Sequence, residues 1–260
     1  MRKDYIAQIG QEQDETDFVE RFWTDVWDKE GGPTGHIEKI PGKEEFRIMA
    51  RYLRRIPEGA RVLDGGCGLG DWTLYLTRLG FKTVGLDLSR KTVDQLKARF
   101  PNAEFVDGDI RRTAFDDASF DLYFSWGVFE HFESGQKDCI REAFRLLKPG
   151  GYLLVSVPLD NLRHSILGTL RRRWPAPGPQ RFYQWRLSRA ELATELAIGG
   201  FEVTSLHPIH KRQGTLRSLH HEFGMSYDWF MTKALSALLA PFLPGWAIAH
   251  MVLAVARKRE

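Results

Sequence analysis

The chain has 260 residues, 43% of them hydrophobic and 27% charged, as expected of a soluble globular protein large enough to bury a sizeable core. Its 37 basic and 34 acidic residues leave a net charge of +3, which argues against the concentrated basic surface of a dedicated nucleic-acid binder. Two cysteines, Cys67 and Cys139, furnish neither a disulfide framework nor a metal cluster, and with no apolar signal core in the first eighteen residues they suit a reducing cytoplasm.

After a polar start, Phe18 to Trp27 (FVERFWTDVW) repeats apolar positions at helical spacing, and GGPTG at 31 to 35 ends that helix. Lys43 to Ile56 predicts a second amphipathic helix, stopped by Pro57. An alternation follows. VLDGG (62 to 66) reads as a strand, 71 to 79 as a helix, TVGLDL (83 to 88) as a strand, and Ser89 opens another helix. AEFVDGD (103 to 109), FDLYFSW (120 to 126) and GYLLVSVP (151 to 158) read as strands, with a helix running to Leu147 before the last of these. Strands separated by helices imply parallel pairing through right-handed crossovers, an α/β doubly wound, Rossmann-like sheet.

Beyond Pro158 the pattern changes. Residues 159 to 187 are basic and proline-rich, with Arg171, Arg172 and Arg173 beside Trp174 as a solvated charge run or a contact for an anionic substrate or lipid headgroups. A helix capped by Ser188 and the strand FEVTSLHPI (201 to 209) resume the sheet pattern, and 210 to 245 then reads as a second irregular segment rich in His and aromatics. Insertions of this kind are where substrate selection is expected. Ala234 to Ala256 lacks Asp, Glu, Lys and Arg over a length that would span a bilayer. Pro241, Pro244 and Gly245 break it into a helix, a turn and the strand-like MVLAVA, so peripheral membrane contact through 234–256 is the stronger membrane reading.

The stretch RVLDGGCGLG (61 to 70) is the chemical signature. Ligands of open α/β sheets lie beyond the carboxyl ends of the strands, and here those ends carry Asp64, Asp87, Asp109, Ser125 and Trp126. Counting a dinucleotide fingerprint from Gly66 and Gly68 puts Asp71 where the third glycine should be. A carboxylate at that helix start opposes a pyrophosphate, and Asp64 adds a second negative group. The loop therefore suits a phosphate-free ligand with cationic ammonium and sulfonium centres, and Asp87 is spaced to accept hydrogen bonds from a ribose diol.

The successive stretches VLDGGCGLG, VGLDLS, DGDI, FDLYFSWGVFEHF and LKPGGYLLVSVP resemble, in order and spacing, the motifs of class I S-adenosylmethionine-dependent methyltransferases of the bacterial small-molecule type. The resemblance implies a seven-stranded sheet with an antiparallel last strand, in a domain spanning 43–260. The preceding residues 1–42 read as a helical extension whose Phe22, Trp23 and Trp27 pack on the sheet and serve as a partial lid, since methyl transfer benefits from excluding water. The resemblance also implies S-adenosylmethionine as cofactor. Asp64, Gly65, Gly66, Cys67, Gly68 and Gly70 would surround its methionine end, Asp87 and Leu88 the ribose, Asp109 and Ile110 the adenine, and Ser125 with Trp126 the methionine portion.

His131, in WGVFEHF, is the candidate general base, on the argument that an imidazole titrates near neutral pH; an ordinary residue at a helix start is the alternative. Gly127 stands where related quinone O-methyltransferases carry a metal-binding Glu, so no metal is expected. SWGV in place of an Asn/Asp-Pro-Pro-aromatic motif argues against DNA amino-methylation. His207, His210, His220 and His221 read as ordinary histidines. The expected function is methyl transfer to a small molecule, with oxygen of a sugar, lipid-linked precursor or secondary metabolite foremost. N- or C-methylation, a membrane-peripheral enzyme acting on lipid, a non-catalytic cofactor binder and, last, an NAD-type oxidoreductase stand as alternatives.

Overall fold

The computed structural model describes residues 1–7, 14–161 and 179–259. Strands β2 (Arg61–Gly65), β3 (Lys82–Asp87), β4 (Glu104–Asp107), β5 (Phe120–Trp126), β6 (Leu147–Pro158), β8 (Phe201–Ile209) and β9 (Met251–Lys258) form one seven-stranded sheet in the order β4-β3-β2-β5-β6-β9-β8. Strands β2 to β6 are mutually parallel, while β9 runs antiparallel to both β6 and β8. The apolar end of the chain is therefore a buried strand, and no helix among the described residues is long and apolar enough to cross a membrane.

Strand alternation builds a core on each face. On one side Tyr123, Leu153, Val155 and Ala254 pack with Cys139 and Ile140 of helix α5 (Lys137–Leu146) and with Leu192 and Leu196 of helix α6 (Arg189–Ile198). On the other, Leu122, Phe124, Leu154 and Leu253 pack with Met49 and Leu53 of helix α2 (Glu44–Leu53) and Leu76 of helix α3 (Asp71–Arg78). Each fully buried side chain of this size contributes about 1.5–3 kcal/mol relative to exposure. Helix α4 (Arg90–Arg99) is capped by Ser89, whose Oγ accepts the Thr92 amide, and it closes a smaller cluster with Cys67 and Phe105. Helix α6 starts with a full capping box between Ser188 and Glu191.

Three stretches of the sequence fold otherwise than expected. The polar start contains strand β1 (Arg2–Ala7), which pairs antiparallel with β7 (Gln180–Arg186), itself inside the supposed irregular insertion 159–187. The Arg171 to Trp174 run lies outside the described residues. Segment 210–245 is mostly helical, comprising α7 (Lys211–Phe223) and α8 (Phe230–Leu239). Strand β4 ends at Asp107, so Asp109 lies in the following turn, bridged to Arg112.

Gly214 marks where α7 meets the short turn of helix at Gly245–Ile248: a Cβ there would lie 1.8 Å from the Ile248 carbonyl oxygen. Backbone cannot yield as a side-chain tip can. Gly214→Ala is expected to cost about 1–3 kcal/mol and lower the Tm by roughly 2–10 °C. A melting curve superimposable on the parent's would show that α7 has room to shift.

Candidate active site

The cavity lies at the carboxyl ends of β2, β3 and β5, with a volume of about 300 Å³. Gly66, Gly68 and Gly70 all have positive φ, which turns the chain sharply out of β2 into α3. Loop amides are used up locally. Those of Gly66 and Cys67 donate to the Leu86 carbonyl (2.7 and 2.9 Å), and that of Gly68 donates to Asp87 Oδ2 (2.8 Å). Side chains at two of these glycines would collide with the cavity walls, since a Cβ on Gly66 would sit 2.4 Å from Val128 and one on Gly68 2.8 Å from the Trp27 ring.

Charge distinguishes the site. Glu20, Glu30, Asp64, Asp71, Asp87 and Asp109 line the cavity, against Lys43 as the lysine among its described lining residues. Burial pushes the Asp64 carboxyl up to about 7, and the neighbouring Asp87 charge adds to this, although Thr73 Oγ1 donates a hydrogen bond at 2.8 Å. Asp87 is raised by burial in spite of the amides of Ser89 and Gly68. Asp71 is raised too, by burial, and its Oδ1 is buried without a hydrogen-bond partner. Packed carboxylates that resist ionisation are stabilised by a bound cation.

Helix α1 (Glu15–Lys29) covers the opening. Its Val19, Glu20, Trp23 and Trp27 face the cavity, with the two indoles stacked at 5.2 Å. Polar contacts fasten it to the start of α4 and to the turn after β4. Thr24 Oγ1 meets Ser89 Oγ at 2.6 Å, Asp28 pairs with Lys91 at 2.6 Å, and Glu15 pairs with Arg111 at 2.8 Å. The Trp27 and Trp126 indole nitrogens are buried without hydrogen-bond partners.

The fold brings together Asp64, Gly66, Cys67, Gly68, Asp87, Leu88, Asp109, Ile110, Trp126 and His131 around this cavity. It leaves Gly65, Gly70 and Ser125 outside the lining, and each has a packing reason to be what it is. A Cβ on Gly65 would lie 2.4 Å from the Tyr123 ring, and one on Gly70 2.6 Å from Leu96. Ser125 Oγ donates to the Gly65 carbonyl at 2.7 Å and is fully buried. Asp109 is engaged by its own neighbour, with Arg111 Nε and a second guanidinium nitrogen at 3.0 and 2.7 Å from Oδ2.

His131 is at the cavity, but its expected near-neutral titration is corrected. Burial pushes the imidazole down to about 4, against the opposing pull of the Tyr183 and Gly127 carbonyls. Its Nδ1–H donates to the Tyr183 carbonyl at 2.9 Å, and the ring sits between Trp23 and Tyr183 at 5.1 and 5.2 Å. Tyr183 and Lys43 had no motif to mark them. Tyr183 reaches His131 because β7 packs on the turn Phe129–His131, and Lys43 enters the site because α2 starts beside Trp72, over which its Nζ lies at 5.5 Å. The remaining histidines do not converge: His210 pairs with buried Glu45 at 2.8 Å, and His220 with the Met225 carbonyl at 2.8 Å.

Residues 62–151 match the model of the methyltransferase domain family. A probable S-adenosylmethionine-dependent methyltransferase of Mycolicibacterium smegmatis is 33% identical over 171 residues, covering 63% of each chain. Phthiotriol/phenolphthiotriol dimycocerosates methyltransferase 1 of Mycobacterium ulcerans is 31% identical over 228 residues, covering 84% of this chain and 75% of that one. In fold, the chain matches geranyl diphosphate C-methyltransferase from Streptomyces coelicolor, solved with Mg²⁺, geranyl diphosphate and S-adenosyl-L-homocysteine, at a TM-score of 0.59 and 15% identity over 96% of this chain and 100% of that one. The chain belongs to the S-adenosylmethionine-dependent methyltransferases, and its cofactor is S-adenosylmethionine. It spans just under two thirds, 63%, of the length of the Mycolicibacterium relative.

The residues present fit that cofactor: buried carboxylates suit a ligand with positive centres, and the described lining residues include no cluster of cations for a phosphate. Asp87→Ala is expected to weaken S-adenosylhomocysteine binding by roughly 10- to 100-fold, in line with about 1.5–3 kcal/mol for a hydrogen bond to a charged group. Calorimetric titration checks this, and an unchanged Kd would remove Asp87 from the site. Asp64 predicts a pH dependence with a definite sign. Its folded pKa lies above its unfolded value, so ligand-free stability falls as pH rises from about 4 to about 7. Binding of the cationic cofactor, which needs the carboxylate, should strengthen over the same rise. The neutral thioether of S-adenosylhomocysteine should show a shallower slope.

Proposed function

We propose that the protein transfers the methyl group of S-adenosylmethionine to an oxygen of a small, largely apolar acceptor, such as a lipid-linked precursor or secondary metabolite. The observation that carries this reading is the composition of the cavity: buried carboxylates share one lining with an apolar wall of Trp23, Trp27, Trp126, Val128 and Phe132, and with His131. The cofactor supplies an activated methyl carbon, open to in-line displacement. Asp64 and Asp71 hold its cationic end, Asp87 the ribose diol, and Leu88 with Ile110 the apolar faces of the base.

The chain's further task is alignment and exclusion of water. Trp23 and Trp27 close the cavity from above, which gives α1 the role of a lid. The aromatic wall receives an apolar acceptor and directs its hydroxyl toward His131. A base of low pKa suffices here, because the hydroxyl becomes strongly acidic as its oxygen gains a bond to carbon. The buried imidazole remains neutral at pH 7 and ready to take that proton. Glu130, pushed up to about 8 by burial, is a carboxylic acid at neutral pH and adds no competing charge behind the histidine.

The test is transfer of labelled methyl from S-adenosylmethionine to a panel of hydroxyl-bearing apolar acceptors, with S-adenosylhomocysteine release as the second readout. Tight NAD binding without S-adenosylhomocysteine binding would overturn the reading, and so would cofactor binding with no transfer across the panel. On an accepted substrate, His131→Ala is expected to lower kcat by ~10²–10⁴-fold with little change in cofactor KM. Unchanged turnover would remove the histidine from proton transfer. The parent's kcat should stay flat from pH 7 down to about 5, since Glu130 ionises only near 8 and the imidazole titrates only near 4.

A further inference from the structure

Helix α8 is built inside out. The positions it buries carry small side chains, the hydroxyl-bearing Thr232 and Ser236 at 0% exposure, continued by Ala240 at the C-cap at 4%. Its large apolar side chains face water: Phe230 is 75% exposed, Met231 51%, Leu238 64%, and Phe242 just beyond the helix 84%. Met231, Leu235, Leu238 and Phe242 fall at spacings of four, three and four, which gathers them on one side of the helix. Scattered surface hydrophobics need no explanation, but a contiguous outward face with a polar inward one does.

The charge around this face points to its occupant. From Trp229 to Ala256 the sequence contains no Asp or Glu, and its one lysine, Lys233, lies 3.8 Å from the fully exposed Asp228 that precedes the helix. Helix α7, which packs alongside, adds Lys211, Arg212 and Arg217 against one acid, Glu222, near its far end. Lys211 Nζ donates to the Pro241 carbonyl at 3.1 Å, which sets a cation beside Phe242. An apolar face bordered by cations fits an anionic lipid surface, with the apolar side chains in the acyl boundary and the cations at the headgroups.

Topology adds a direction. The α7–α8 segment joins the end of β8 to the start of β9, and Met251 there pairs with both Ile209 and Pro158. It therefore rises from the same carboxyl edge of the sheet as the cofactor cavity, and Met251 Cε comes within 3.6 Å of the position a Cβ on Gly127 would take. We propose that the α8 face, from Phe230 to Phe242, docks the protein on anionic membranes, with the cavity edge turned toward the bilayer so that an apolar acceptor reaches it from the lipid. The docking stands without the methyl-transfer reading; only the delivery of an acceptor rests on it.

Flotation of the full chain with vesicles of phosphatidylcholine alone, or with 30% phosphatidylglycerol (about one lipid in three), tests the docking. The parent is expected to float with the anionic vesicles at low salt and to partition less as salt rises. The triple variant Phe230→Ser, Leu238→Ser, Phe242→Ser should lose partitioning by about tenfold or more. Arg212→Gln with Lys233→Gln should abolish the preference for anionic lipid. S-adenosylhomocysteine binding equal to the parent's certifies that the variants are folded. Failure of the parent to float overturns the proposal, as does a triple variant that floats equally well. Sedimentation showing a parent dimer that the triple variant converts to monomer, without vesicle binding, would assign the face to a second copy instead.

Discussion

Asp64 and Asp87 end neighbouring parallel strands almost out of water, and the rest of the site is arranged around keeping them there. Asp87 holds the Gly68 amide and so fixes the loop that crosses it, while Thr73 on α3 holds Asp64. Burial raises both carboxyls, with the Asp87 charge adding to the rise at Asp64 and the Glu20 charge to that at Asp87, and neither has a lysine or arginine partner among its hydrogen bonds. Such a pair is costly in the ligand-free protein and becomes favourable when positive charge arrives, which ties the stability of this corner of the sheet to ligand.

The lid depends on that corner as well. Helix α1 leans its Trp27 ring on the glycine that Asp87 fixes, and its polar ties run to Ser89 and Lys91, just after β3, and to Arg111 after β4. Loop, acids and cover thus move together or not at all. The acid at 109 belongs to this set in a different way from the others, since its carboxylate is occupied in orienting Arg111, which in turn lies over Phe132 at 4.1 Å. Its place at the cavity is that of a support for the wall.

Much of this was legible in order and spacing. Glycine loop, strand-end acids and capping serines are local signals, and β2 to β6 with α3, α4 and α6 stand close to where periodicity placed them. Strands β1 and β7 were not legible because their pairing joins Arg2 to Arg186, and RKDYIA lacks the alternation that marks a half-buried strand. Helix α8 was read only in its second half, ahead of Pro241; its start at Phe230 escaped because its apolar residues point outward, so the expected relation between hydrophobicity and burial is reversed there. The titration of His131 depends on Trp23 and Tyr183, two residues distant in sequence that remove it from water. Gly65, Gly70 and Ser125 follow the family motif yet act through packing, a distinction that needs coordinates.

Strand β9 inserts between β6 and β8, although it follows both in the chain. During synthesis, β6 therefore presents an open edge of unpaired backbone groups while the segments from 180 to 250 emerge, and β8 has no neighbour to join. The parallel half of the sheet can assemble early, but its far side waits for a single late segment of eight residues. That order of events makes Met251–Lys258 a clasp: the strand that arrives last closes the edge most exposed to misassembly.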